Sequence, residues 1–171
     1  MKHYQSLATL ANENACFDLQ FRKDMRKERL NAPTYYRWKV QFIITGPKEN
    51  LKVMKQIQKE LQCGNIHVVK NQSRFSVQNL DEINNAVIPF FRKNTLSGNK
   101  KKDFELWRKA ADIIYKNKGV YISKWEKQDL TSLMHIHTSI AKYKSAHRQP
   151  KWIEMAQLLT TNAGQRKPPL K

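Results

Sequence analysis

The sequence predicts an α+β fold in which helices cover one face of a four-stranded antiparallel sheet. Stretches that alternate apolar and polar residues indicate strands, and stretches with apolar residues three and four apart indicate helices. Their order along the chain is helix, two strands, helix, two strands, helix. A chain of 171 residues that is 40% hydrophobic is long enough to build a core. We therefore predict one αββαββα unit followed by additional helices.

The first half of this unit begins with a short helix of small residues, Leu7 to Asn12, that runs into a strand. In that strand one face carries Phe17, Leu19 and Phe21, and the other carries Asp18, Gln20 and Arg22. A connection through Asn31-Ala32-Pro33 leads to a second strand. Its apolar face carries Tyr36, Trp38, Val40, Phe42 and Ile44, and its polar face carries Arg37, Lys39, Gln41 and Thr45. Both strands are predicted to be buried on one side.

The second half repeats this order. Leu51, Met54, Ile57 and Leu61 recur at helical spacing, and Gly64 is the predicted stop of their helix. The two predicted strands that follow run from Ile66 to Lys70 and from Arg74 to Gln78. Asn79 and Glu82 have the spacing of a capping pair and predict the start of another helix.

The remaining chain predicts helices and a tail. Ser123 and Glu126 form a capping pattern before a helix through Leu130 and Ile140, and a shorter helix is predicted from Trp152 to Leu159. We predict three regions: a first domain at 1–118 that contains the αββαββα unit, a helical extension at 119–161 and a basic, Pro-rich tail at 162–171.

The charge of the chain indicates a polyanionic partner. Lysine and arginine number 32 against 14 acidic residues, a net charge of +18, and such an excess is typical of nucleic-acid-binding proteins. Cys16 and Cys63 are far apart in sequence, which argues against a disulfide framework or a structural zinc site. No apolar run reaches the roughly 18 to 20 residues of a membrane span.

The polar sides of the predicted strands provide the candidate nucleic-acid-binding residues, because cations suit phosphates and amides or guanidinium groups suit base edges. A solvated sheet face is the alternative. The lysine run after the second half of the unit and two cations of the tail complete the set. The predicted residues are Gln20, Arg22, Arg37, Lys39, Gln41, Lys70, Arg74, Ser76, Gln78, Lys100, Lys101, Lys102, Arg166 and Lys167.

Several sequence motifs resemble a known family. Ile88-Pro89-Phe90-Phe91, Leu96 and Asp103-Phe104-Glu105-Leu106-Trp107, with Ala110 and Ile113, are similar to the C-terminal signature of single-motif LAGLIDADG homing endonucleases. Leu7 to Phe17 falls where that family has its namesake helix. The resemblance covers roughly residues 5 to 118. It implies a sheet that lies on a nucleic-acid duplex and an acidic residue at the end of the motif helix that holds a divalent metal.

The motif helix of this chain is degenerate. Asn12 and Asn14 occupy the two acidic positions, Thr9 and Ala15 replace glycines, and Glu13 is one residue out of register. A carboxamide cannot supply the charge that Mg²⁺ requires from its ligands. We therefore predict no catalytic residue, no metal and no cofactor, with Mg²⁺ only if the chain is an endonuclease.

The predicted function is a non-catalytic RNA-binding protein of homing-endonuclease descent, a structural component of an organellar ribosome or another ribonucleoprotein. Its predicted partners are structured RNA, either rRNA or intron RNA, and neighbouring proteins, with no membrane. The alternative is a homodimeric, Mg²⁺-dependent DNA homing endonuclease or an intron maturase, whose partner would be duplex DNA. A DNA-binding repressor is a third possibility. The family implies an organelle, and we expect a mitochondrion rather than a chloroplast.

Overall fold

The structure is a computed structural model that describes residues 7–25, 34–141 and 153–162. Its strands are β1 (Ala15–Met25), β2 (Thr34–Pro47), β3 (Asn65–Val69) and β4 (Gln72–Val77). Its helices are α1 (Leu7–Asn14), α2 (Leu51–Leu61), α3 (Leu80–Glu82), α4 (Ile88–Lys93), α5 (Gly98–Lys116), α6 (Lys127–Ala141) and α7 (Ile153–Asn162). A π-helical turn (Ile83–Val87) joins α3 to α4, and 3-10 turns lie at Lys48–Asn50 and Ile122–Lys124.

The four strands form one antiparallel sheet in the order β1-β2-β4-β3. β4 is central and pairs with β2 on one side and with β3 on the other. The register sets Phe75 of β4 opposite Ile44 of β2 and Ile66 of β3. The predicted α+β class and the αββαββα order are confirmed.

The chain divides into two compact units. The first comprises Met1–Asp18 and Val40–Asp112, and the second comprises Leu19–Lys39 and Ile113–Lys171. β1 and β2 each contribute residues to both units. The domain boundaries at 118 and 161 stay a prediction, although α6 and α7 do lie beyond residue 118.

Aromatic rings fill the core of the first unit. The ring of Phe17 lies 5.3 to 5.5 Å from the rings of Phe42, Phe91, Phe104 and Trp107, measured between centroids. All five residues are at most 3% exposed. The Trp107 indole N–H donates to the backbone oxygen of Asp18 at 3.1 Å. Burying rings of this size is a main source of stability for a sheet covered on one face.

The second unit has its own aromatic contacts. The ring of Phe21 stacks on Tyr36 at 5.8 Å and lies 5.1 Å from Trp38, which contacts His137 of α6. Asp129, which is 8% exposed, accepts hydrogen bonds from Lys116 at 3.1 Å and from Asn117 at 2.8 Å. The pKa of Lys116 is raised by this hydrogen bond and by the Asp129 charge. These bonds fix the end of α5 to the start of α6.

Several local predictions differ from the structure. Lys70 lies in the turn between β3 and β4 with a φ of 52°, and β4 starts at Gln72. α2 ends on the left-handed Gln62 (φ 54°), one residue before Cys63 and two before the predicted Gly64. Ser123, the predicted first residue of the capping pattern, belongs to a 3-10 turn, and the helix that follows begins at Lys127. Short-range spacing gives these boundaries only to within a few residues.

Other predictions are met or lie outside the described residues. The Asn79 side chain accepts hydrogen bonds from the backbone N–H groups of Asp81 and Glu82, as the capping pattern predicts. Four predictions concern residues outside the described part of the chain: the Asn31-Ala32-Pro33 connection, Trp152, Arg166 and Lys167. Asn162, the first residue of the predicted tail, is the last residue of α7. Membrane-spanning helices are absent from the described part of the chain.

Candidate nucleic-acid interface

The sheet of the first unit has one face turned away from the aromatic core, which we call the open face. The register sets its side chains in rows: Arg74 lies between Thr45 and His67, and Gln72 lies between Pro47 and Val69. The side chains of both rows are exposed. The open face consists of Asp18, Gln41, Ile43, Thr45, Pro47, Asn65, His67, Val69, Gln72, Arg74 and Ser76.

The structure brings three predicted binding residues together on the open face, but it exposes only one. Arg74 is exposed, whereas Gln41 and Ser76 are 5% and 3% exposed. Gln41 is held by a 2.8 Å hydrogen bond from its Nε2 to Oδ2 of Asp18. Arg74 is therefore the cation of this face that can reach a ligand directly.

The other predicted residues lie elsewhere. Gln20, Arg22, Arg37 and Lys39 belong to the second unit, where they alternate with the buried Leu19, Phe21 and Trp38. Lys70 is exposed in the β3–β4 turn, and Gln78 is exposed directly after β4. Lys101 and Lys102 are exposed on the first turns of α5, and Lys100 is half-buried there.

The C-terminal end of α1 is the second feature of interest, because the family resemblance places metal ligands there. The Asn12 Oδ1 accepts hydrogen bonds from the backbone N–H of Ser97 at 2.9 Å and from its hydroxyl at 3.3 Å. The Asn12 Nδ2 donates to the backbone oxygen of Ala8 at 3.1 Å. Both ends of this amide are thus used within the protein, and they tie α1 to the loop before α5.

A lysine side chain also binds at this end of the helix. The ammonium group of Lys100 donates a hydrogen bond to the backbone oxygen of Ala15, the first residue after α1. A cation stabilises the C-terminal end of a helix, where backbone carbonyls lack partners. Lys100 therefore places positive charge where the resemblance implies a metal.

These residues do not fit a Mg²⁺ site. The side chains at the helix end are two amides, Asn12 and Asn14, the exposed carboxylate of Glu13, and the ammonium of Lys100. Mg²⁺ prefers carboxylate oxygens and is repelled by a cation. Among residues 7–25, 34–141 and 153–162, no group of three or more His, Cys, Asp or Glu side chains is placed to hold a metal ion.

The thiol of Cys63 does not supply reactive chemistry either. Burial, with a smaller contribution from the charge of Glu82, raises the pKa of the Cys63 thiol to about 11. Cys63 therefore stays protonated at neutral pH, and it is unreactive because the thiolate is the reactive form. Cys16 is half-buried, and neither cysteine forms a disulfide within the described residues.

Sequence reasoning missed several residues of these two regions. Ser97, the partner of Asn12, lies 85 positions away from it, and no spacing rule connects them. The sequence predicts His67 within a strand but does not assign it to either face of the sheet. Its alternation with Ile66 is the signal that places it on the open face. Arg92 and Lys93, exposed at the end of α4, extend the predicted lysine run and could have been found by charge alone.

The chain matches one family model, described as LAGLIDADG endonuclease, over residues 12–111. No curated protein matches it at a significant level. Among solved structures, the I-LtrWI LAGLIDADG homing endonuclease bound to target DNA is 26% identical, with a TM-score of 0.63, over 81% of this chain and 43% of its own.

Two further structures share the fold. The I-SmaMI LAGLIDADG homing endonuclease bound to cleaved DNA is 20% identical, with a TM-score of 0.65, over 82% of this chain and 44% of its own. The homing endonuclease I-TnaI is 15% identical, with a TM-score of 0.65, over 92% of this chain and 95% of its own. This chain thus spans less than half the length of the two DNA-bound proteins and nearly all of the third.

Proposed function

The chain belongs to the LAGLIDADG endonuclease family. We propose that it binds duplex DNA through the open face and that the residues at the C-terminal end of α1 do not cleave the DNA. The observation that carries the proposal is the row of Thr45, Arg74 and His67, which is exposed on the side of the sheet opposite the aromatic core. DNA-bound structural neighbours of the family support DNA as the ligand.

The open face has the chemistry of a major-groove surface. A β-ribbon fits the major groove, where an arginine binds the O6 and N7 of guanine in a bidentate manner. Arg74 has that group, and Gln72 adds an amide one row away. A net charge of +18 provides the sequence-independent attraction to phosphates.

The uncharged side chains at the C-terminal end of α1 support binding without cleavage. Hydrolysis of a phosphodiester requires charge stabilisation at the attacking and leaving oxygens, which a carboxylate-bound metal supplies in two-metal and related sites. The amide of Asn12 is used to hold Ser97, and Asn14 has no charge. Neither side chain can replace a metal-binding carboxylate.

Mg²⁺-dependent cleavage is the second candidate function. The observation that favours it is the exposed Glu13 carboxylate, which lies one residue from Asn14 at the same helix end. A nicking assay separates the two functions. The RNA partner, the ribonucleoprotein role and the mitochondrial location predicted from the sequence stay predictions, and the DNA-bound neighbours favour the duplex-DNA alternative over them.

A pair of copies is the expected DNA-bound form. This chain spans 43% and 44% of two DNA-bound neighbours, so two copies would match one such chain in length. Ala8 and Thr9 of α1 are small and incompletely buried, as close packing of a second helix would require. The stoichiometry of the protein–DNA complex, measured by mass photometry, would be two chains per duplex.

Replacing Arg74 tests the proposed function. Duplexes selected from a random pool by the wild-type protein are titrated with Arg74→Gln and with the control Lys55→Gln, an exposed cation on α2. Because one bidentate contact to a base contributes about 1 to 3 kcal/mol, Arg74→Gln should weaken binding by roughly tenfold. Lys55→Gln should change affinity by less than about threefold.

The salt dependence of the same titration is the second measurement. The logarithm of the association constant should fall linearly with the logarithm of salt concentration, with a slope of about −0.9 per neutralised phosphate. Equal losses in the two variants, a slope near zero, or tighter binding of structured RNA than of the selected duplex would refute the proposal.

A further inference from the structure

Helix α2 carries a row of lysines on its outer surface. Lys52, Lys55 and Lys59 are exposed, and because they are three and four residues apart they lie within about 60° of one another around the helix axis. Lys48, in the 3-10 turn before α2, precedes Lys52 by four residues and is also exposed. We call these four residues the lysine row.

The lysine row faces away from the open face. The opposite side of α2 carries Met54, Ile57 and Leu61, which are buried. α2 contacts β3 and β4, and it packs on the core side of the sheet, since side chains on the other side, such as Arg74, are exposed. A duplex on the open face is therefore separated from the lysine row by the sheet and by α2 itself.

The row contains no negative charge. No acidic residue lies between Lys52 and Lys59 along the chain, and lysines three and four positions apart on a helix repel each other. The outer cation of α5 is arranged differently, because Arg108 forms ion pairs with Glu105 at 3.0 Å and with Asp112 at 3.2 Å. Lysines clustered along one side of a helix, at a cost to the stability of that helix, are typical of a surface that binds a polyanion.

We propose that the lysine row binds the phosphate backbone of a second DNA duplex, so that one chain joins two DNA segments. The first segment lies on the open face, and in that respect the inference rests on the proposed function. About 10 Å separates Lys52 from Lys59 along the helix axis, and a duplex carries one negative charge per roughly 1.7 Å of its length. The row can therefore neutralise several phosphates of one duplex at once.

The side chains of α2 favour a duplex over an acidic protein as the partner. Protein partners bind mainly through aromatic and apolar anchors, whereas phosphate contacts alone can hold a duplex. In α2, which is described in full, the large apolar side chains are buried or half-buried. Lysine is a point charge without the planar group that arginine offers to a base edge, so the row should bind the second duplex with little sequence preference.

A bridging assay tests this inference. Beads carry a duplex that the wild type has selected, protein is added, and unbound protein is washed away. A fluorescent duplex of random sequence is then titrated, starting at about 50 mM salt, where phosphate contacts are strong. The row variant, Lys55→Gln with Lys59→Gln, removes two exposed charges from the row.

The matched control removes two exposed lysines from another part of the chain. It combines Lys124→Gln with Lys127→Gln, which have the same spacing class and cause the same loss of charge. Thermal melting measured by circular dichroism establishes that both variants are folded. Retention of all three proteins on the beads should agree within about threefold, because surface lysines away from the open face contribute little to the first contact.

The wild type and the control should bind the second duplex equally well. The row variant should bind it at least about tenfold more weakly, and the slope of its logarithmic salt dependence should be smaller by about 1.8, because each lost phosphate contact contributes about 0.9.

Equal binding of the second duplex by the row variant and the control, or a wild type that holds only the bead-bound duplex, would overturn this inference alone. A wild type that binds fluorescent polyglutamate and no second duplex would identify an acidic protein as the partner instead. A wild type that is not retained on the selected duplex would overturn both the proposed function and this inference.

Discussion

The side chain of Asn12 forms hydrogen bonds to two separate parts of the chain. Its oxygen accepts from Ser97, and its nitrogen donates to Ala8. An aspartate at this position could accept from Ser97 but could not donate to Ala8. The residue therefore serves the packing of α1 against the loop before α5, a role that does not require a charge.

Replacing Asn12 should destabilise the protein. Asn12→Ala removes the acceptor of the Ser97 N–H and hydroxyl, and each lost hydrogen bond costs about 1 kcal/mol. We expect a loss of roughly 2 kcal/mol in the free energy of unfolding, measured by urea denaturation. The control is Asn14→Ala, an exposed residue at the end of the same helix, which should change stability by less than about 0.5 kcal/mol. Equal effects of the two substitutions would contradict the anchoring role of Asn12.

The candidate site could be predicted from the sequence only in part. Alternation placed Arg74 and Gln41 on one face of the sheet, because side chains in a strand have a period of two. It could not show that Gln41 is buried against Asp18, since that contact joins residues 23 positions apart on two strands. The sequence also placed Lys70 on a strand, whereas a left-handed turn residue occupies that position.

Gly64, which lies between α2 and β3, occupies a position where the structure requires a glycine. Its φ is +86°, and a Cβ added there would lie 2.6 Å from two ring atoms of Phe75 and 3.0 Å from a methyl group of Val77. Phe75 and Val77 are fully buried in the sheet, so they cannot move aside. The chain can approach the sheet this closely only without a side chain.

A substitution at Gly64 should therefore cost more than one at an open turn. Gly64→Ala combines the strain of a positive φ with a clash in the core, which together cost roughly 3 kcal/mol. Gly119→Ala also has a positive φ, +79°, but nothing lies within 4 Å of its Cβ. It should cost only about 1 kcal/mol. The measurement is the melting temperature of both variants. Similar melting temperatures would show that the clash with Phe75 does not add to the cost of the Gly64 substitution.

The elements of the fold were largely predictable, because their periodicity is local. α2 was predicted from Leu51, Met54, Ile57 and Leu61, and it spans Leu51–Leu61. β2 is longer than its alternation indicates, since sheet pairing extends it to Pro47. The order of the strands in the sheet follows from long-range contacts, which a hydrophobic pattern does not specify.

At the scale of the whole molecule, the proposed DNA partner rests on the charge of the chain and on its family. The net charge is +18, and the family match covers residues 12–111. The end of α1, with Asn12, Asn14 and Lys100, departs from the carboxylate chemistry of a metal-dependent nuclease. The central claim is therefore that this protein binds a duplex and leaves both strands intact.

The most direct measurement uses an end-labelled duplex that the protein has selected. Protein and duplex are incubated with EDTA, with Mg²⁺ or with Mn²⁺, the shifted band is cut from a native gel, and its DNA is resolved on a denaturing gel. We predict a shifted band in all three conditions and full-length strands in every shifted band. Metal-dependent nicks at one position, or the absence of a shifted band, would contradict the account.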